Sequence, residues 1–236
     1  VLTKNAARVL VLAIFTGLSH CDTTPPTSPM VGRPSGPYTV TLKLEPPAPV
    51  PGQRAVLKFR ISHSKTGEPV NDLQILHERA LHTFIVHEDL STFSHTHHED
   101  YKHLDEQTLE RAEFEFPYEF PKAGRYFIVN EFTHQGRSWV KHFVMTTAGQ
   151  SSSSIRPRDL TMQKSVGGYR VALRTSPSPP IAGHPVEIVC HLSDVNGAPV
   201  DNLSLYLGSE VHMASWKADG TSFGHQHTFT TAMAEL

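Results

Sequence analysis

Cysteine is scarce: Cys21 and Cys190 are the only two in 236 residues, so no disulfide framework organises the chain. No apolar run is long enough to cross a bilayer as a helix. The best, Val9 to Leu18, would span about 15 Å of a hydrocarbon core of roughly 30 Å. Neither sign of charge dominates: 21 basic residues face 23 acidic ones. That balance argues against a nucleic-acid partner, which demands a basic face. There is no Gly-x-Ser-x-Gly elbow, no phosphate loop and no dinucleotide fingerprint. With five Met in the chain, a Met-rich Cu(I) tract is also absent. Cys190 and His191 are neighbours on a strand-like run, so they point to opposite faces and form no direct catalytic dyad. No catalytic residue is assigned, and the chain is read as a non-enzyme.

Abundant instead are His, at 16, and Pro, at 18, with 15 Gly. This composition favours a turn-rich strand protein over a helical one. The N-terminus carries Lys4 and Arg8 ahead of the apolar Val9 to Leu18, the pattern of an export signal. Leu18-Ser19-His20-Cys21 follows and resembles a bacterial lipobox, with His20 where the pattern places a small residue. The expectation is a signal peptide over 1–21, lipidation at Cys21 and a membrane-anchored protein of the bacterial cell envelope. The competing reading is a plain signal peptide with an incidental Cys. Residues 22–37 are rich in Pro, Thr, Ser and Gly and read as a disordered tether. Cys190 reads as a buried, inert thiol.

An internal repeat orders the rest. Tyr38 to Leu44 matches Tyr169 to Thr175, each an alternating strand followed by a Pro-rich stretch ending in Gly, at Gly52 and Gly183. Ala55 to Ile61 matches Val186 to Leu192. After a one-residue gap, Thr66-Gly67-Glu68-Pro69-Val70 matches Asn196-Gly197-Ala198-Pro199-Val200. The expected organisation is all-β: two tandem immunoglobulin-like antiparallel β-sandwiches over 38–148 and 169–236, joined by a linker over 149–168. The second copy has no counterpart of the first copy's strands from about 112 to 146 and is read as incomplete. No helical period is expected between 38 and 236.

The repeat carries a chemical pattern. His82, His95 and His97 recur as His212, His225 and His227. In a strand, His-x-His places both side chains on one face, about 6.6 Å apart at Cα. Thirteen residues suffice for the earlier His to lie on the neighbouring strand across a turn near Asp89. Three imidazoles with an open fourth position form a recognised metal site. Affinity order favours copper there, with zinc as the alternative. His87, His98 and His103 read as solvated, as do Glu99-Asp100 and Asp105-Glu106. His77, His134 and His142 are left outside the site, and Met213, replaced by Thr83 in the first copy, reads as packing.

Gly67-Glu68-Pro69-Val70, Phe93-Ser94-His95-Thr96-His97 and the Phe120 to Tyr126 segment, read as a hairpin, resemble exported bacterial proteins with YtkA-like and FixH-like domains. The resemblance covers about 38–146 well and 169–230 in part. It implies an immunoglobulin-like fold and association with metal, particularly copper, handling in the envelope. An envelope protein partner is a separate expectation. The alternative function is a non-catalytic structural or protein-interaction β-sandwich with no specific metal site.

Overall fold

The computed structural model describes residues 30–32, 36–149 and 159–227. The expected signal peptide, Cys21 and the first part of the tether lie outside them. The chain is mostly β, arranged as several antiparallel sheets. No helix among the described residues is long and apolar enough to cross a membrane.

The first sheet holds β1 (Met30–Val31), β2 (Tyr38–Glu45), β3 (Arg54–His63) and β6 (Glu113–Glu119), in the order β1-β2-β3-β6. Alternation fixes its register. Tyr38, Val40, Leu42 and Leu44 of β2 are buried, as are Ala55, Leu57, Phe59 and Ile61 of β3. Pairing Leu42 with Phe59, and Phe59 with Phe114, aligns these sets on one face. A one-residue slip would turn every one of them to solvent.

The second sheet is ordered β5-β4-β7-β8: β4 (Leu81–His87), β5 (Phe93–Thr96), β7 (Gly124–His134) and β8 (Arg137–Thr147). Leu81 and Ile85 of β4, Tyr126, Ile128 and Phe132 of β7, and Phe143 and Met145 of β8 complete one core with the first sheet, a sandwich-like arrangement. β7 and β8 are joined by Gln135-Gly136, both at positive φ (52° and 69°). That is the two-residue turn whose twist suits a hairpin.

Several expectations change. Phe120 to Gly124 does not close a hairpin: β6 pairs with β3 and β7 with β4, so this segment crosses between sheets. A short helix, α1 (Glu106–Arg111), stands where no helical period is readable. Asp105 caps it by accepting from the Thr108 backbone N–H while staying exposed, so this solvated carboxylate also has a structural role. Six residues are too few to display a 3.6-residue repeat. Finally, Met30–Val31 pairs with β2 inside the span read as tether, and β9 (Gln163–Val166) lies inside the span read as linker. β9 returns through Gly167-Gly168, both at positive φ (58° and 85°), to the strand that starts at Tyr169.

The later strands repeat the earlier ones. β10 (Tyr169–Ser176) and β11 (Glu187–Asp194) correspond to β2 and β3, and β12 (His212–Trp216) and β13 (Phe223–His227) to β4 and β5. The isolated bridges Ser62–Pro69 and Leu76–Arg79 recur as Ser193–Pro199 and Tyr206–Ser209, which fixes the one-residue gap between the copies. The β9–β11 sheet is exposed along both faces. Cys190 is therefore an exposed thiol, not the buried one that its apolar neighbours suggest.

Every residue of β4 is buried, on both faces. One face joins the core. The other carries His82, Phe84 and Val86, beside Phe127, Val129 and Glu131 of β7, and is covered by the β12–β13 hairpin. Trp216 and Phe223 meet Phe84 there at ring-centroid distances of 6.3 and 4.8 Å.

Candidate metal centre

His82 lies on β4 and His95 on β5, and His97 follows directly after β5. The turn between the strands contains Leu90 in the left-handed conformation (φ 59°). The β4–β5 register pairs Thr83 with Thr96 and so brings His82 beside His97. His95 stacks on Phe84, with ring centroids 4.2 Å apart and planes 12° from parallel. Three nitrogens converge. His82 Nδ1 is 3.3 Å from His95 Nε2, His97 Nε2 is 3.1 Å from His82 Nδ1, and His97 Nε2 is 3.0 Å from His95 Nε2.

Outer hydrogen bonds determine what those nitrogens are. The Leu76 carbonyl can only accept, so His82 Nε2 carries the proton and donates to it at 3.0 Å. His97 Nδ1 donates to Asp100 Oδ2 at 2.9 Å. As neutral imidazoles, His82 and His97 therefore turn lone pairs inward, at Nδ1 and Nε2. A tetrahedral ion with bonds of about 2.0–2.1 Å spaces its ligand nitrogens about 3.3 Å apart, close to the triangle observed. Without a cation, a proton on His95 Nε2 can be donated to only one of His82 Nδ1 and His97 Nε2 at a time. Burial, then the neighbouring His97 and His225, pulls the His82 pKa down to about 3. Burial and the surrounding imidazoles pull His95 down to about 2. Burial also lowers His97, against the opposing pull of Asp100. All three are thus held in the protonation state a metal requires.

The second triad repeats the first. His212 Nε2 donates to the Tyr206 carbonyl at 2.6 Å, the counterpart of the bond to Leu76. His212 Nδ1 lies 3.4 Å from His225 Nε2. His227 Nε2 is buried with no hydrogen-bond partner. Burial and its His neighbours lower the His227 pKa to about 4, and burial lowers His212. In each triad one nitrogen from every His lies within 4.8 Å of the others, so both could hold a metal ion. His225 is braced from the first copy: its Nδ1 donates to Glu131 Oε2 at 2.7 Å. Burial opposes ionisation of Glu131, but the bonds from His225 and Ser138 outweigh it and keep the carboxyl pKa low.

The remaining His divide differently from the expectation. His87 and His98 are 2% exposed, not solvated. His87 is held between Asp89 and the Ala123 carbonyl, and His98 lies against the β6 backbone at Glu115. Only His103 of that trio is exposed. His134 is buried between Tyr38 and Asp72. His77 does reach them, stacking on His227 at 3.7 Å between centroids.

Asp100 and Glu99, read as solvated, both support the site. Asp100 also accepts from the His97 backbone N–H and from Arg79, and Glu99 accepts from the Ala80 N–H. No spacing rule marks either residue. Glu131 had a faint signal, a carboxylate shortly after the apolar Tyr126–Val129 run of β7. A separate cavity of about 400 Å³ lies over β2, β3, β6 and α1, away from the triads. Among its cations, Lys58, Arg60 and Lys102 are paired with Glu45, Glu113 and Glu115.

No curated protein and no solved structure matches the chain. Residues 33–149, just short of half the sequence, match the family model described as a domain of unknown function, DUF8832, which spans the first triad and Glu131 but not the second triad.

Proposed function

We propose that this is an exported, membrane-anchored protein of the bacterial envelope that binds a transition metal, copper in preference to zinc, through His82, His95 and His97 and through His212, His225 and His227. The observation that carries the reading is the inward set of imidazole lone pairs, fixed by outer N–H bonds to Leu76, Asp100, Tyr206 and Glu131. Acceptors of this kind set ring orientation and ligand basicity in metal sites. An all-imidazole set suits Cu(II), which outcompetes Zn(II) in the affinity order. The envelope assignment rests on the apolar N-terminal segment and Cys21, and the copper-handling role on the resemblance to YtkA-like and FixH-like domains. Two tandem immunoglobulin-like modules are the architecture that the repeated strands fit.

Calorimetric titration of the full chain with Cu(II) tests the site. The parent should take up tightly bound ions. The His95→Ala/His97→Ala variant should lose the first site, and adding His225→Ala/His227→Ala should abolish tight binding. Equal, weak, multi-site uptake in all three would instead leave a structural or interaction β-sandwich. The exposed apolar side chains of the β9–β11 sheet, including Tyr169, Ile188 and Val189, favour that reading.

Asp100 provides a finer test. Asp100→Asn leaves the ligands in place but weakens the acceptor that orients His97. First-site affinity should fall by about 10–100-fold. The measurement is Cu(II) competition against a chromophoric chelator, and unchanged affinity would remove Asp100 from the site.

A further inference from the structure

The two triads are not remote copies of one site. Hairpin β12–β13 lies over β4 and β5 so that the triads face each other. His225 is 5.6 Å from His82 and 5.4 Å from His95, and His212 is 5.8 Å from His95, between ring centroids. His77 bridges the same seam, stacked on His227 and 6.1 and 6.4 Å from His212 and His82. Glu131 crosses it as well: it belongs to β7, pairs in register with His82, and receives the His225 Nδ1 proton. The first copy thus supplies the outer acceptor for a ligand of the second.

From this juxtaposition we infer that the triads form one paired two-ion centre assembled across the two copies, with Glu131 as the residue that positions His225 for the second ion. The inference rests on the metal-binding reading above and extends it from two sites to one coupled centre. An ion bonded at about 2.0–2.1 Å lies roughly 3 Å from its own ring centroids. Combined with the 5.4 Å between His95 and His225, this keeps the two ions less than about 12 Å apart. Two paramagnetic ions at that separation interact through space. Both would be divalent cations of one kind, since the donor sets are the same.

The probe is Cu(II) alone, added to the full chain and followed by electron paramagnetic resonance. The expected result is two ions per chain, with dipolar broadening that grows as the second equivalent is added. His225→Ala/His227→Ala should bind one ion with an unbroadened spectrum. Glu131→Gln keeps an acceptor oxygen at the seam but loses the charge. It should lower second-ion affinity by about 10–100-fold and leave the first within about twofold. Because Glu131→Gln alters no ligand, it separates positioning from misfolding, and its unchanged first site serves as the folding control.

Two ions without broadening would overturn the paired centre and leave two independent sites. One ion per parent chain would overturn it in favour of a single shared site. Equal weakening of both ions in Glu131→Gln would remove the positioning role. No tight binding at all would fail the metal-binding reading itself, a result distinct from the other three.

Discussion

The metal-free protein should lose stability steadily as pH falls below about 6.5, the ordinary His value. His82 and His95 are held near 3 and 2 by burial and by neighbouring imidazoles, and His97, His212 and His227 are also lowered. Between those values and 6.5 the unfolded chain takes up protons that the folded chain refuses. Stability therefore rises with pH through this window and falls on acidification. Above about 7 both states are neutral and the effect vanishes. Each excluded proton is worth about 1.4 kcal/mol per pH unit. For His82 and His95 together, the fall between pH 7 and pH 5 should reach about 2–4 kcal/mol. Denaturant unfolding of the metal-free chain at the two pH values measures it. His82→Gln/His95→Gln should flatten the dependence even if it lowers stability overall. A parent whose stability is level across the window would mean that the triads are hydrated and ionise freely.

How much of this was legible in the sequence depends on whether the controlling contact is local. Alternation along Tyr38 to Leu44 and across Glu113 to Phe120 specifies strands, because burial in a sheet has a period of two. The His spacing was legible for the same reason: thirteen residues give one turn and one return, and His-x-His gives one face. Sheet membership was not. Phe120 to Gly124 looks like a hairpin from its Pro and Gly, yet those residues serve a crossover equally well, and only the pairing of β6 with β3 distinguishes them. The residues that orient the ligands were invisible for a similar reason. Asp100 sits in a stretch of charged residues indistinguishable from a solvated loop, and Glu131 reaches a partner 94 positions away. The docking of β12–β13 depends on the second face of β4, where His82, Phe84 and Val86 are as buried as Leu81 and Ile85 on the core face. Fully buried β4 reads as a near-continuous apolar run interrupted by His. The His82 in it is readable as a ligand, but nothing local announces the opposing hairpin.

Replacing Gly220 by alanine should lift that hairpin off the sheet. Gly220 has φ +74°, and an added Cβ would meet Phe127 ring carbons at 2.4 Å. Phe127 cannot easily yield: it is 3% exposed and lies on β7 between Val86 of β4 and Val144 of β8. The left-handed conformation alone costs alanine about 1–2 kcal/mol. Gly197→Ala isolates that cost, since Gly197 has φ +86° and nothing within 4 Å of the added carbon. The difference between the two variants therefore reports seating against Phe127. His142, which donates to the Gly220 carbonyl, would lose its partner as well. Trp216 is the natural reporter, with ring contacts to Phe84, Phe93 and Phe223. In Gly220→Ala its emission should shift to the red, the second ion should bind at least about 10-fold more weakly as its supporting shell is lost, and dipolar broadening should disappear. The first site should keep its affinity within a few-fold, because Asp100, Leu76 and the β4–β5 register all lie outside the hairpin. Gly197→Ala should retain both ions and their broadening. If the two variants behave alike, the hairpin is not held by its contact with Phe127, and the pairing of the two triads must depend on the His contacts and Glu131 alone.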